Sequence, residues 1–172
     1  MSISSKLGAE YQSVRAASKF KTITVKLNDV VFSLKVRIPV KREMEAITSA
    51  ITEPPEAQVA TLYATLASPL RKTLQEADEG FLEAVNAEAT RFVVTDDDIV
   101  MDGTSLRHLA RMTAVWQSQV EKYFSLLESA TGEPITESYA EIAEEFPENV
   151  IREIVAQIDE VIRPNYKDTK KN

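Results

Sequence analysis

His108 is the one histidine in 172 residues, so any imidazole base or ligand must be this side chain. It stands beside Arg107 and near Arg111. A histidine base needs a nucleophile to serve or a carboxylate to orient it, and no G-x-S-x-G or similar arrangement accompanies this one. It reads as an exposed helical residue. The acids Asp96, Asp97, Asp98 and Asp102 come nearest to a cation site. A calcium loop needs oxygen ligands at its first, third and fifth positions and glycine at the sixth. Counted from Asp96, the fifth position is Val100 and the sixth Met101, so the pattern fails and a solvated turn is expected. Glu144-Glu145 and Asp159-Glu160 are carboxylate pairs on segments of helical period. Acid–base catalysis needs two carboxylates converging in one cleft at unlike pKa values, and these belong to wet helix faces. No catalytic residue, metal ligand or cofactor is expected.

What is missing narrows the chemistry further. There is no cysteine, which excludes a disulfide scaffold, a thiolate metal site and a cysteine nucleophile together. The glycines are Gly8, Gly80, Gly103 and Gly132, too far apart for a glycine-rich phosphate loop. No run approaches the roughly 18 apolar residues that span a membrane, and Met1 to Leu7 lacks an apolar signal core. The expectation is a cytoplasmic protein that engages no membrane.

Charge is unevenly placed. Residues 1–45 carry nine Lys/Arg against four Asp/Glu, residues 46–162 seven against 22, and residues 163–172 four against one. An acidic middle argues against a duplex-binding face, so no nucleic-acid partner is expected. The polarity along the chain is compatible with self-association or with a basic partner.

The elements follow from period. Residues 1–19 hold Leu7, Tyr11 and Val14 at helical spacing and predict a flexible basic arm or short helix. Ile23, Val25 and Leu27, then Val30, Phe32, Leu34, Val36 and Ile38, alternate with polar residues on either side of Asn28-Asp29. Period two around a turn pair predicts an antiparallel hairpin over 20–38, ended by Pro39. Met44, Ile47 and Ile51 mark a helix that Pro54-Pro55 stops. Val59, Leu62, Tyr63 and Leu66 mark the next, and Ser68-Pro69 predicts a fresh start. Phe81, Leu82 and Val85 begin a short piece, and residues 91–103 read as a second, shorter hairpin.

Thr104-Ser105 is expected to open the longest helix, running to about Ala130 and stopped by Gly132. Leu106, Leu109, Thr113, Trp116, Val120, Tyr123 and Leu127 form a heptad-spaced seam along it. Thr136 is expected to cap an acidic helix through Glu145. Pro147 restarts a final helix carrying Val150, Ile151, Ile154, Val155, Ile158, Val161 and Ile162. Trp116 and Tyr123 are either aromatic anchors for a partner or intramolecular core, and Ile154 and Ile158 dock either onto the body or onto another subunit. These four are the candidate partner-binding residues. The fold class is α+β: a basic arm over 1–19, one domain over 20–164 with the hairpin packed on a helical body over 40–164, and a polar tail over 165–172.

One arrangement in this order is familiar. Phe20-Lys-Thr-Ile-Thr-Val-Lys-Leu through Phe32-Ser-Leu-Lys-Val-Arg-Ile-Pro leads into Arg42-Glu-Met-Glu-Ala-Ile, and Tyr139-Ala-Glu-Ile-Ala-Glu-Glu-Phe-Pro-Glu precedes a hydrophobic helix. Together these segments resemble the tail assembly chaperones of long-tailed bacteriophages. The resemblance implies a non-enzymatic protein of the host cytoplasm, absent from the mature virion. It implies as partners the tape measure protein, whose apolar helices it keeps soluble, and the tail tube protein, which it helps recruit. A structural or connector component of a phage particle, or a small acidic protein-binding regulator, would share the same absence of catalytic chemistry.

Overall fold

Alternation of apolar and polar residues builds the hairpin where it is expected. The computed structural model describes residues 3–78, 80–87 and 91–163. Strand β1 (Phe20–Leu27) pairs antiparallel with β2 (Val30–Arg37), in a register that sets Ile23 opposite Leu34 and Val25 opposite Phe32. Asn28 takes φ 55° in the connecting turn, a left-handed conformation that asparagine tolerates better than most residues. Ile23, Val25 and Val36 are buried on one face, while Lys35 is exposed on the other. The class is α+β, as expected. The helices are α1 (Ile3–Lys6), α2 (Gly8–Ala17), α3 (Lys41–Thr52), α4 (Glu56–Glu76), α5 (Phe81–Val85), α6 (Leu106–Phe124), α7 (Tyr139–Glu145) and α8 (Glu148–Ile162). A second sheet joins β3 (Phe92–Val94), β4 (Ile99–Met101) and β5 (Thr104–Ser105) in that order.

The chain divides into two compact units, residues 1–47 with 119–172 and residues 48–118, where the sequence suggested one domain over 20–164. The expected polar tail over 165–172 lies outside the described residues. The basic arm is helical over most of its described length, as α1 and α2, and no residue of α2 is buried.

In the first unit, α8 packs along β1. Its buried face is Val150, Ile151, Ile154, Val155 and Ile158, the stripe that the helical period marked. Gln157 lies on the margin of that face. Its side-chain oxygen accepts from the Thr24 amide at 3.1 Å and its side-chain nitrogen donates to the Thr24 carbonyl at 2.6 Å. One side-chain amide thus satisfies both backbone groups that this residue turns away from β2. At the hairpin's base, Arg37 grips Glu43 of α3 through two hydrogen bonds, 2.6 and 2.8 Å. That hydrogen bond, with the guanidinium charge, holds the Glu43 carboxyl below its ordinary range.

The long helix is shorter than its seam implied. It ends at Phe124, not near Ala130. The amides of Leu126 and Leu127 turn back to the carbonyls of Tyr123 and Phe124 at 3.0 Å. The chain then runs beside β2: Arg37 donates to the Leu126 carbonyl at 2.8 Å, and Glu128 donates to the Lys35 carbonyl at 2.9 Å. Strand-like pairing with an open sheet edge displaces the last turns of helix. The seam itself is only partly buried. Leu106, Val120, Tyr123 and Leu127 are buried, but Leu109 is exposed, and Ala110 and Ala114 take the inner positions instead.

The second unit corrects two boundaries. No new helix begins at Ser68; α4 runs through Pro69. Proline inside a helix costs about 3 kcal/mol. Here Val59, with Leu62, Tyr63 and Leu66, packs on Ala110 and Ala114, and Ala67, with Leu70, packs on Ile99 and Leu106. Burial on both sides of the proline offsets its cost. Thr104-Ser105 does not belong to α6 but forms β5. Asp102 and Gly103, at φ 46° and 78°, supply the two left-handed residues of a tight hairpin turn between β4 and β5. Ser105 still caps α6, accepting from the His108 amide at 3.0 Å. A third boundary moves in the first unit. Ser138, not Thr136, caps α7, in a reciprocal capping box with Glu141.

Gln157→Leu keeps the packing volume but leaves the Thr24 amide and carbonyl open. We expect a stability loss of about 1 kcal/mol and faster hydrogen exchange at the Thr24 amide. Unchanged exchange there would mean that Gln157 does not hold the edge.

Candidate functional site

The residues that could do chemistry are engaged otherwise. His108 lies exposed in the first turn of α6. Asp96, Asp97 and Asp102 are exposed turn residues. Asp98 is the working member of that run. Its carboxylate accepts from the Ser105 hydroxyl, from the Ile99 amide at 2.8 Å and from the Arg107 amide at 3.1 Å. Burial pushes its carboxyl up, but these hydrogen bonds and the Arg107 charge hold it below the ordinary range. Asp98 therefore ties the β3–β4 turn to the start of α6. Among the described residues no group of three or more His, Asp or Glu could hold a metal ion.

Three of the four candidate partner-binding residues are core. Tyr123, Ile154 and Ile158 are each 0% exposed. They face inward because α6 and α8 turn their apolar stripes to the interior of the first unit, which leaves these side chains no surface for another molecule. Only Trp116 is partly accessible. The Tyr123 hydroxyl donates to the carboxylate of Asp159. Burial, with that hydrogen bond and charge, pushes its phenol up to about 12.

The first unit carries a different surface feature, a groove of about 270 Å³. Leu34, Phe124, Leu127, Ile135, Ile142 and Phe146 give it apolar walls. Glu128, Glu137, Glu141 and Glu145 line it as well, and no Lys or Arg does. Each wall has a local cause. Leu34 comes from the inner face of β2. Leu127 is placed by the pairing of residues 126–128 with that strand. The capping box fixes the start of α7, which carries Ile142, and Phe146 follows as its extended C-cap, its amide donating to the Ile142 carbonyl. Phe146 meets Phe124 edge to face, with ring centroids 5.8 Å apart.

The carboxylates are held variously. Glu128 pairs with Lys35 at 3.2 Å, and Glu141 accepts from Ser138 in the capping box. Hydrogen bonds from the Ser138 backbone and side chain lower the Glu141 carboxyl from its ordinary value. Such a cleft has the features that receive an amphipathic helix: apolar anchors inside and a charged margin outside. At about 270 Å³ it falls just below the range of small-molecule sites, about 300–1,000 Å³, and suits one or two side-chain anchors. The sequence signals only its acidic component, the helix expected through Glu145; Leu34 stands in the hairpin alternation and Leu127 in the heptad-spaced seam.

Comparison with known proteins gives no relative to set beside this geometry: no family model, no curated protein and no solved structure matches the chain. Its function must be argued from the groove and the surfaces around it.

Two outcomes test these assignments. Asp98→Ala should cost about 1–2 kcal/mol, the loss of a helix cap, and calcium should leave Tm unchanged in wild type and variant alike. Because the Asp98 carboxyl is depressed in the fold, its contribution is present above the unfolded carboxylate pKa and is lost as pH falls through the folded value. The variant should therefore lack that part of the acid-side loss. Tyr123 has the opposite sign. A phenol raised to about 12 contributes stability that is full below about 10 and is lost as pH rises through about 12. Tyr123→Phe should remove that alkaline loss in urea unfolding, and an unchanged profile would contradict the burial of the hydroxyl.

Proposed function

We propose that the protein is a non-enzymatic chaperone that holds an apolar helical segment of a client in the groove between β2 and α7. The observation that carries the reading is an apolar cleft lined by four glutamates and by no basic residue. Its apolar walls cover the aggregation-prone face of a client helix, and its carboxylates favour clients with Lys or Arg flanking that face. With the resemblance to tail assembly chaperones, the client is a phage tape measure protein, held in the host cytoplasm until tail tube subunits assemble around it. The chaperone then leaves the particle. The net charge of −7 keeps the chaperone itself dispersed.

Co-expression with the tape measure protein of the same phage tests this. The wild-type chain should raise the soluble yield of the tape measure protein and co-purify with it. Ile135→Arg, in the groove wall, should abolish both while Tm stays within a few degrees of wild type. Failure of the wild type to solubilise or bind the tape measure protein, together with its presence in purified virions, would instead make it a structural component of the particle.

A further inference from the structure

A second feature of the first unit complements the groove in apolar character and in charge. Helix α2 turns Tyr11 and Val14 to solvent, at 42% and 62% exposure, and Leu7, just before it, is 55% exposed. Tyr11 and Val14, three residues apart, share one face of the helix, and Gly8, at φ 86°, turns the chain between them and Leu7. Lys6, Arg15 and Lys19 flank them, against the single acid Glu10. An exposed apolar stripe with basic flanks is the counterpart of an apolar groove with an acidic margin.

The helix is tied at the wrong place to fill the groove of its own chain. Only Ser18 and Lys19 separate it from β1, the Ser18 amide donates to the Val14 carbonyl at 2.9 Å, and the Ile38 amide donates to the Lys19 carbonyl at 2.9 Å. Arg15 and Ala16 line a cavity with Pro39 and Glu43 at the base of the hairpin, and Tyr11 and Val14 stay exposed. We infer that α2 of one copy docks, through Tyr11 and Val14, into the glutamate-lined groove of a second copy. In a two-fold pair each chain supplies one helix and one groove, so the contact is made twice and closes on itself. The inference takes the groove assigned above to the client but needs no client. Its failure leaves co-expression to decide the chaperone reading, and its success makes α2 a competitor that fills the groove when no client is present.

Sedimentation velocity on the full chain tests it. The wild type should associate reversibly to a dimer within concentrations up to about 0.1 mM, far above the Kd of a specific contact, and high salt should weaken the dimer by screening the flanking charges. Reversing the helix charges in K6E/R15E should give a monomer, and so should reversing the groove charges in E137K/E145K. Mixed in equal amounts, the two variants should recover the dimer, because the acidic helix of one then meets the basic groove of the other. Tyr11→Ala, at an exposed position, should weaken the wild-type dimer at least tenfold and serves if either charge variant loses its fold. A wild type that stays monomeric throughout, a dimer indifferent to these substitutions, or a mixture that fails to recover association would overturn the inference.

Discussion

The pairing of residues 126–128 with the outer edge of β2 is the contact on which the first unit depends. Two backbone hydrogen bonds, Arg37 to Leu126 and Glu128 to Lys35, close an edge that would otherwise expose unpaired groups to any passing strand. They also end α6 at Phe124 and send the chain across the hairpin instead of onward as helix. Leu127 is thereby buried beside the inner face of β2, and the loop that follows is delivered to α7. On the other edge, Gln157 does for Thr24 with a side chain what residues 126–128 do with backbone. A two-stranded ribbon is marginal alone; here α8 packs along β1, and each edge is met at one point, Lys35–Arg37 on β2 and Thr24 on β1.

The acidic character of the chain is put to local structural use. Asp98 anchors the start of α6, Glu141 closes the capping box of α7, and Asp159 accepts from a buried tyrosine. Each carboxylate has donors that make its charged form useful, which is the opposite of a catalytic acid held neutral by an apolar pocket. The glutamates along the groove line its apolar walls with negative charge; in the proposed function this favours an apolar segment flanked by bases over one flanked by acids.

The hairpin was legible because its signal is local. Period two fixes which face is buried, Asn28 marks the turn, and Pro39 marks the end. The final helix was legible for a similar reason, since Val150 to Ile158 form a stripe broad enough to define its burial. Features that depend on distant partners were not. Ser68-Pro69 has the local chemistry of a helix start, but packing of Val59 and Ala67 on both sides of the proline carries α4 through it. The heptad spacing over 106–127 overran the helix because nothing within the segment reports that β2 has an open edge to fill. Tyr123, Ile154 and Ile158 stood open between partner anchors and core because sequence alone does not distinguish an inward stripe from an outward one. The groove escaped altogether: its walls are drawn from Leu34, Phe124, Leu127, Ile135, Ile142 and Phe146, and only the fold brings the first beside the rest.

The central claim is that recognition takes place in the groove and not on another exposed apolar surface, such as that of Leu109 and Met112 on α6. The most direct measurement is an amide chemical-shift titration of the isotope-labelled full chain with a basic amphipathic helix taken from the proposed client, a tape measure protein. The account predicts shifts concentrated at Leu34, Leu127, Ile135, Ile142 and Phe146. Shifts centred on Leu109, Met112 and Trp116, or none at all, would contradict it.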